Sequence, residues 1–322
     1  MKKINSLGLF FILILMFLLI GPLIVPLPPL EGIKPIEDLV YPDSQFMDIN
    51  GMDVHYQEIQ NEGTLFVLLH GFGSSTYSWQ KVMEPLSAYG SVLSYDRPGF
   101  GLTERLIPKK DVDYNPYRLD YQPEILIEII NSRRADKVIL VGNSAGGTVA
   151  IQTALNFPEK IQGLILISPA VYGGGGAPKL IKPLLNIPQI NRLGPFFVRT
   201  IRERGLEILK LAWSDPAKIT DTDIENYQKP LSVDRWDEGL WEFTKVNGEN
   251  NLDGRLTELN IPVLIISGSE DKIIPADQSI QLASDIPGSK LVLIPNCGHV
   301  PQEECPDAFL AAVRSFLEDL VN

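Results

Sequence analysis

Apolar residues along this chain fall into three patterns. One is a single long stretch: no charged residue occurs from position 4 to 30, and 9–20 is unbroken aliphatic and aromatic sequence. The second is a set of short runs rich in Val, Ile and Leu at 64–69, 91–95, 137–141, 163–167, 261–267 and 290–294. Near-continuous apolar runs of that length predict parallel strands buried on both faces. Ahead of them, 46–49 and 52–56 flank Asn50-Gly51, which predicts an antiparallel hairpin with a two-residue turn. The third pattern is helical spacing, at 123–132, 146–156 and 307–320. A hairpin followed by strand–helix repeats predicts an α/β fold with a mostly parallel, eight-stranded sheet and helices on both faces.

The alternation is interrupted once. From 168 to 260 no strand pattern is clear. Gly173-Gly174-Gly175-Gly176 and Pro178, Pro183, Pro188 and Pro195 lead into helical stretches around 195–212 and 222–228. This segment, about 171–255, is expected to be a helical lid hinged onto the sheet. The glycine run is not a phosphate loop, because no Gly-Lys-Ser/Thr follows it.

The long apolar stretch lies outside this scheme. A helix over 4–25 would be about 33 Å long, enough to cross a hydrocarbon core of about 30 Å. Lys2 and Lys3 precede it, and Glu31, Glu37, Asp38 and Asp43 follow. The positive-inside rule then places the N-terminus in the cytoplasm and the rest outside. A signal peptide shares the basic start, but no small-x-small cleavage site follows. The run passes instead into Gly21-Pro22-Leu23-Ile24-Val25-Pro26-Leu27-Pro28-Pro29. Residues 1–30 are expected to form an uncleaved single-pass membrane anchor, with secretion after signal cleavage as the alternative. Residues 31–45 read as a linker, and 46–322 as the globular domain.

Composition narrows the function. The 322 residues include 28 basic and 40 acidic side chains, a net charge of −12. That balance argues against a nucleic-acid partner, because clustered Lys and Arg supply affinity for phosphate backbones. A hydrophobic content of 44% excludes a disordered chain. Two cysteines, Cys297 and Cys305, are too few for a disulfide scaffold or a four-cysteine zinc site. With His299 they supply only three ligands, so no metal is expected. They read as two unpaired small residues, a disulfide between them being the alternative for an extracytoplasmic domain.

Gly142-Asn143-Ser144-Ala145-Gly146-Gly147 stands between a predicted strand and a predicted helix. In that setting G-x-S-x-G is a sharp turn that exposes a strained serine at a helix N-terminus. A serine hydroxyl needs a base, and the chain has three histidines. His55 falls in the hairpin and reads as a surface or packing residue. His70 opens His70-Gly71-Phe72-Gly73, where its ring is expected to brace the turn. His299, in Asn296-Cys297-Gly298-His299-Val300-Pro301, follows the last strand, at the end where open α/β sheets place ligands. It is the expected base. Asp271, in Gly268-Ser269-Glu270-Asp271, is the expected orienting carboxylate, with Glu270 as its competing neighbour.

These motifs, together with Asp96-Arg97-Pro98-Gly99-Phe100-Gly101, each follow a predicted strand. In this order the chain from about residue 46 onward resembles the α/β-hydrolase fold family. The resemblance implies Ser144 as nucleophile, Asp271 as acid and His299 as base. It implies an oxyanion hole from the backbone N–H groups of Phe72 and Ala145, a lid between the sixth and seventh strands, and no metal or organic cofactor. Haloalkane dehalogenases and epoxide hydrolases of the family carry aspartate where Ser144 stands, which argues against both. Esterases, lipases and perhydrolases use the same triad, and ring-cleavage carbon–carbon hydrolases often carry Gly-Asn-Ser-x-Gly-Gly. The expected function is a serine hydrolase acting on a small-molecule ester, or related acyl compound, with an apolar acyl part. Carbon–carbon bond hydrolysis, perhydrolysis and a non-catalytic tethered binding module are the alternatives. Trp213, Trp236 and Trp241 in the lid are candidates for lining the acyl pocket.

Overall fold

The computed structural model describes residues 6–108, 114–173, 179–246, 248 and 250–321. Helix α1 (Ser6–Ile24) comes first, then β1 (Gln45–Ile49), β2 (Met52–Ile59), β3 (Thr64–Leu69), α2 (Gln80–Ser87) and β4 (Gly90–Tyr95). They are followed by α3 (Gln122–Ser132), β5 (Val138–Asn143), α4 (Ala145–Asn156) and β6 (Gly163–Ile167). An insertion then carries α5 (Lys182–Leu185), α6 (Pro188–Val198), α7 (Ile201–Ala212), α8 (Asp221–Gln228) and α9 (Trp236–Val246). The chain closes with β7 (Val263–Gly268), α10 (Ala276–Asp285), β8 (Lys290–Ile294), α11 (Pro301–Glu304) and α12 (Pro306–Val321).

The strands form one eight-stranded sheet in the order β1-β2-β4-β3-β5-β6-β7-β8. β2 pairs antiparallel with β1 and β4, and the other pairings are parallel. The apolar runs arise because alternate residues enter two separate cores. In β3, Leu65, Val67 and Leu69 meet Ile125 of α3 and Val149 of α4. Phe66 and Leu68 face the other way, towards Val82 of α2 and Phe309 and Val313 of α12.

The insertion departs from its expected form in two respects: α5 and α9 lie where no helical stretch is expected, and one expected stretch is divided. The stretch around 195–212 is two helices, because the chain turns between Val198 and Ile201. α6 packs on α9 and α1, whereas α7 packs on α8, so the two serve different neighbours. The hinge expected at Gly174, Gly175, Gly176 and Pro178 lies outside the described residues.

Residues 31–45 are held against the body. Lys34 N donates to Ser232 O at 2.9 Å, Leu39 is buried beside Leu102 and Val233, and Ser44 Oγ lies 2.7 Å from His55 Nε2. His55 is therefore no surface residue: it is fully buried, and its Nδ1 lies 2.7 Å from Asp96 Oδ2. Asp96 also accepts from Thr76 N at 2.6 Å and Leu102 N at 2.7 Å. Burial works to raise its pKa, but His55 and the Leu102 amide outweigh burial and hold it below the usual carboxylate range. The cysteines also depart from expectation. Cys297 and Cys305 are joined in a disulfide, because α11 turns the chain back and brings their Cα atoms to 6.3 Å, within bridging range.

Removing the imidazole leaves a buried carboxylate without its side-chain partner. His55→Ala should cost about 3 kcal/mol of stability in a denaturant titration. A loss below about 1 kcal/mol would show that backbone donors alone satisfy Asp96.

Candidate active site

Ser144 joins β5 to α4 with φ 52° and ψ −120°, a conformation that L-residues rarely adopt. The turn is possible because its neighbours lack side chains. A Cβ on Gly142 would lie 2.7 Å from Gly147 N, and one on Gly146 only 2.1 Å from Leu69 O. The serine backbone N donates to Ile167 O at 2.9 Å. Asn143 Nδ2 donates to Ile167 O at 3.2 Å and to His299 O at 3.1 Å. Asn143 thus ties the elbow to the histidine loop, a role that its place in the motif did not reveal.

His299 Nδ1 lies 2.8 Å from Asp271 Oδ2. Asp271 Oδ1 accepts from the backbone N–H groups of Ile273 and Ile274, both at 2.8 Å. With Oδ1 so held, Oδ2 is aimed at the imidazole. A carboxylate only accepts, so Nδ1 carries the proton and Nε2 keeps a free lone pair. Glu270, the competing neighbour, is exposed.

Ser144 and His299 line one cavity of about 210 Å³, whose walls include Phe72, Phe100, Leu206, Ile208 and Leu240. A Cβ on Gly71 would stand 3.2 Å from Ser144 Cβ, so the turn after β3 passes directly over the serine. Neither the Phe72 nor the Ala145 N–H finds an acceptor among the described residues. His70 braces this turn: Nδ1 donates to Gly71 O at 2.7 Å, and Nε2 accepts from Arg97 N at 3.0 Å. Burial first, and Arg97 second, push its pKa down to about 3, so the ring is neutral.

Of the three tryptophans, Trp236 lines the cavity and the other two do not. Trp213 packs against Leu209 and Val300, with Lys81 Nζ 5.2 Å from its ring centroid. Trp241 donates its indole N–H to Asn191 Oδ1 at 2.8 Å. Both rings are used to pack the insertion. The cavity wall contains Arg105 and Arg202, and no Asp or Glu among the described residues. Arg105 is buried, which lowers its pKa to about 10, and it donates to the carbonyl oxygens of Phe100, Gly101 and Thr103.

Two further glutamates attach the insertion to the histidine loop. Glu304 accepts from Gly298 N at 2.6 Å, Ser214 N at 3.0 Å and Asp215 N at 2.9 Å. Glu303 Oε1 accepts from Tyr227 OH at 2.6 Å and from the Ser78 hydroxyl. Tyr227 is itself a wall of the cavity. Burial pushes the Glu303 pKa up to about 7, against hydrogen bonds from Ser78 and Tyr227 that lower it.

A folded-state pKa above the ordinary 4.5 means that the folded protein binds this proton more tightly. The contribution to stability is full below pH 4.5 and is lost as pH rises through about 7. Glu303→Gln keeps the accepting oxygen but cannot ionise. Between pH 5 and 8 the wild type should lose on the order of 3 kcal/mol relative to this variant, read from melting curves. Parallel curves would overturn the assignment.

The sequence profile of the alpha/beta hydrolase fold family matches residues 64–306. An uncharacterized hydrolase, YugF, of Bacillus subtilis (strain 168) is 27% identical over 273 residues, covering 84% of this chain and 96% of its own. A 2-hydroxy-6-oxononadienedioate/2-hydroxy-6-oxononatrienedioate hydrolase of Escherichia coli (strain SE11) is 29% identical over 277 residues, covering 82% and 90%. The crystal structure of a membrane phospholipase A, described as a bacterial virulence factor, superposes with a TM-score of 0.68 at 21% identity. It covers 98% of each chain, so the likeness in fold includes the N-terminal helix.

Proposed function

Because the chain belongs to the α/β-hydrolase fold family, we propose that it is a serine hydrolase cleaving an ester, or a related acyl compound, with an apolar acyl part. One observation carries the reading: the Asp271–His299 pair at 2.8 Å opens onto the same apolar cavity as the strained Ser144. Ser144 Oγ attacks the carbonyl carbon while His299 Nε2 takes its proton. The Phe72 and Ala145 N–H groups donate to the oxyanion, each contributing about 3 kcal/mol to the transition state. His299 then protonates the leaving alcohol and deprotonates the water that releases the acid. Asp271 keeps the imidazole in the required tautomer.

In this reading α1 holds the enzyme at a membrane with the body outside the cytoplasm. Its Leu7–Ile24 window has a mean hydropathy of 2.9 and is only 6% buried, so the protein itself leaves this apolar surface uncovered. Carbon–carbon bond hydrolysis is a second reading. The E. coli relative favours it, as does a cavity wall with two arginines and, among the described residues, no carboxylate, which suits an anionic substrate.

Ser144→Ala should lower turnover of a chromogenic ester by roughly 10⁴-fold or more, and abolish labelling by a fluorophosphonate probe. Asp271→Asn should cost roughly 10³-fold, and Glu270→Gln less than about threefold. The reverse ranking would show Glu270 to be the acid. A chain-length panel of esters, assayed beside a ring-cleavage dienoate, tests the chemistry. A kcat/KM for the dienoate well above that of every ester would replace the first reading with the second.

A further inference from the structure

We propose that the face carrying α5, α6 and the exposed side of α7 is a docking surface for a bilayer containing anionic lipid. The inference rests on the reading of α1 as an anchor and extends it to the insertion. α6 packs along the end of α1. Gln189 Nε2 donates to Leu19 O at 2.8 Å, and Arg192 Nη2 to Val25 O at 3.0 Å. Further along, Arg199 Nη1 donates to Pro28 O at 2.8 Å and Arg202 Nη1 to Glu31 O at 3.0 Å. Leu19 lies about 7 Å inside the C-terminal end of α1, at about 1.5 Å per residue. A bilayer that encloses α1 as far as Ile24 therefore also meets the start of α6.

The side chains there fit that surrounding. Leu180 is 90% exposed, Leu184 49% and Phe197 58%, and Ile187 and Phe196 are exposed beside them. On α7, Ile208 and Leu211 are also exposed. Ile208 is at the same time a wall of the cavity, so the cavity reaches the surface on this side.

Charge selects the kind of surface. Residues 179–212 contain seven basic and two acidic side chains, a net of +5 within a chain of net −12. Arg204 and Lys210 are exposed and have no carboxylate partner among the described residues. Exposed apolar side chains interleaved with cations are what interfacial helices present to anionic lipid. A second copy of this chain would instead set one cationic face against another. Docked in this way, the protein takes its substrate from the bilayer through the Ile208 side of the cavity.

The test uses the full-length protein. Its cysteines are both in the disulfide, so single labels can be placed at Leu184→Cys, Phe197→Cys and, as an aqueous reference on α10, Ser284→Cys. Each labelled protein is reconstituted into phosphatidylcholine vesicles with or without phosphatidylglycerol, and quenching by doxyl-labelled lipid is read. The labels at 184 and 197 should be quenched most in the anionic vesicles, and the label at 284 in neither. Arg204→Glu with Lys210→Glu, outside the cavity wall, should remove that quenching while the protein still resists carbonate extraction. Labels that stay aqueous in both vesicles, in carbonate-resistant protein, would overturn docking and leave the anchor standing. So would quenching that ignores phosphatidylglycerol or survives the charge reversal. Extraction by carbonate would overturn the anchor. Docking would then be upheld by phosphatidylglycerol-dependent co-sedimentation and overturned by its absence.

Discussion

The top of this molecule depends on how closely β3, β5 and α4 approach one another around Ser144. A side chain on Gly146 would meet Leu69 O at 2.1 Å, so the helix starts almost in contact with the neighbouring strand's backbone. That approach sets Gly71 against the serine, and Phe72 beyond it lines the same cavity as Ser144. The left-handed conformation at Ser144 costs on the order of 1–3 kcal/mol. It persists because Ile167 O takes both the Ser144 amide and the Asn143 side chain, over a sheet buried on both faces.

The histidine is positioned by a second set of contacts, which shares Asn143 with the elbow. Its ring is oriented by Asp271, its carbonyl is held by Asn143, and its N–H donates to Ala212 O at 2.6 Å. Glu304 then binds Gly298 on one side and Ser214 and Asp215 on the other. The C-terminal end of α7 is therefore bonded to the histidine's own loop, which the disulfide closes from 297 to 305. Displacing that end of the insertion breaks hydrogen bonds at the proposed base. Among the described residues, the far end of the insertion, α5 and α6, has no such hydrogen bonds to the loop and leans on α1 and α9 instead.

Much of this was legible in the sequence, for reasons that also explain what was not. Near-continuous apolar runs marked six of the eight strands and their interruption, and the Asn50-Gly51 turn marked the other two. The serine elbow was legible because its glycines are fixed by close backbone approach. α2 and α10 were not, since α2 is short and holds Pro85 and α10 is half polar. A pair of adjacent glutamates reads as solvated surface, yet both Glu303 and Glu304 are buried because backbone and hydroxyl donors converge on them. Residue type could not say which way Trp213 and Trp241 turn, as that depends on the break between α6 and α7. Nor does the spacing of Cys297 and Cys305 reveal a bond, which needs the reversal through α11.

The overall charge of −12 looks at first incompatible with an anionic bilayer. Screening removes the contradiction. At physiological ionic strength the Debye length is about 8 Å, so a surface responds mainly to charges within about that distance and hardly to the rest of a body of this size. Arg192, Arg199 and Arg202 lie beside the exit of α1, whereas the acidic excess falls outside 179–212, over the remainder of the chain. In the docking proposed above, the cations nearest the lipid headgroups therefore set the interaction, and the distant acidic charges are largely screened from it. A flexible tether alone leaves a catalytic body free to rotate. The hydrogen bonds from Arg192, Arg199 and Arg202 to the exit of α1 remove most of that freedom, and the charge distribution opposes what is left.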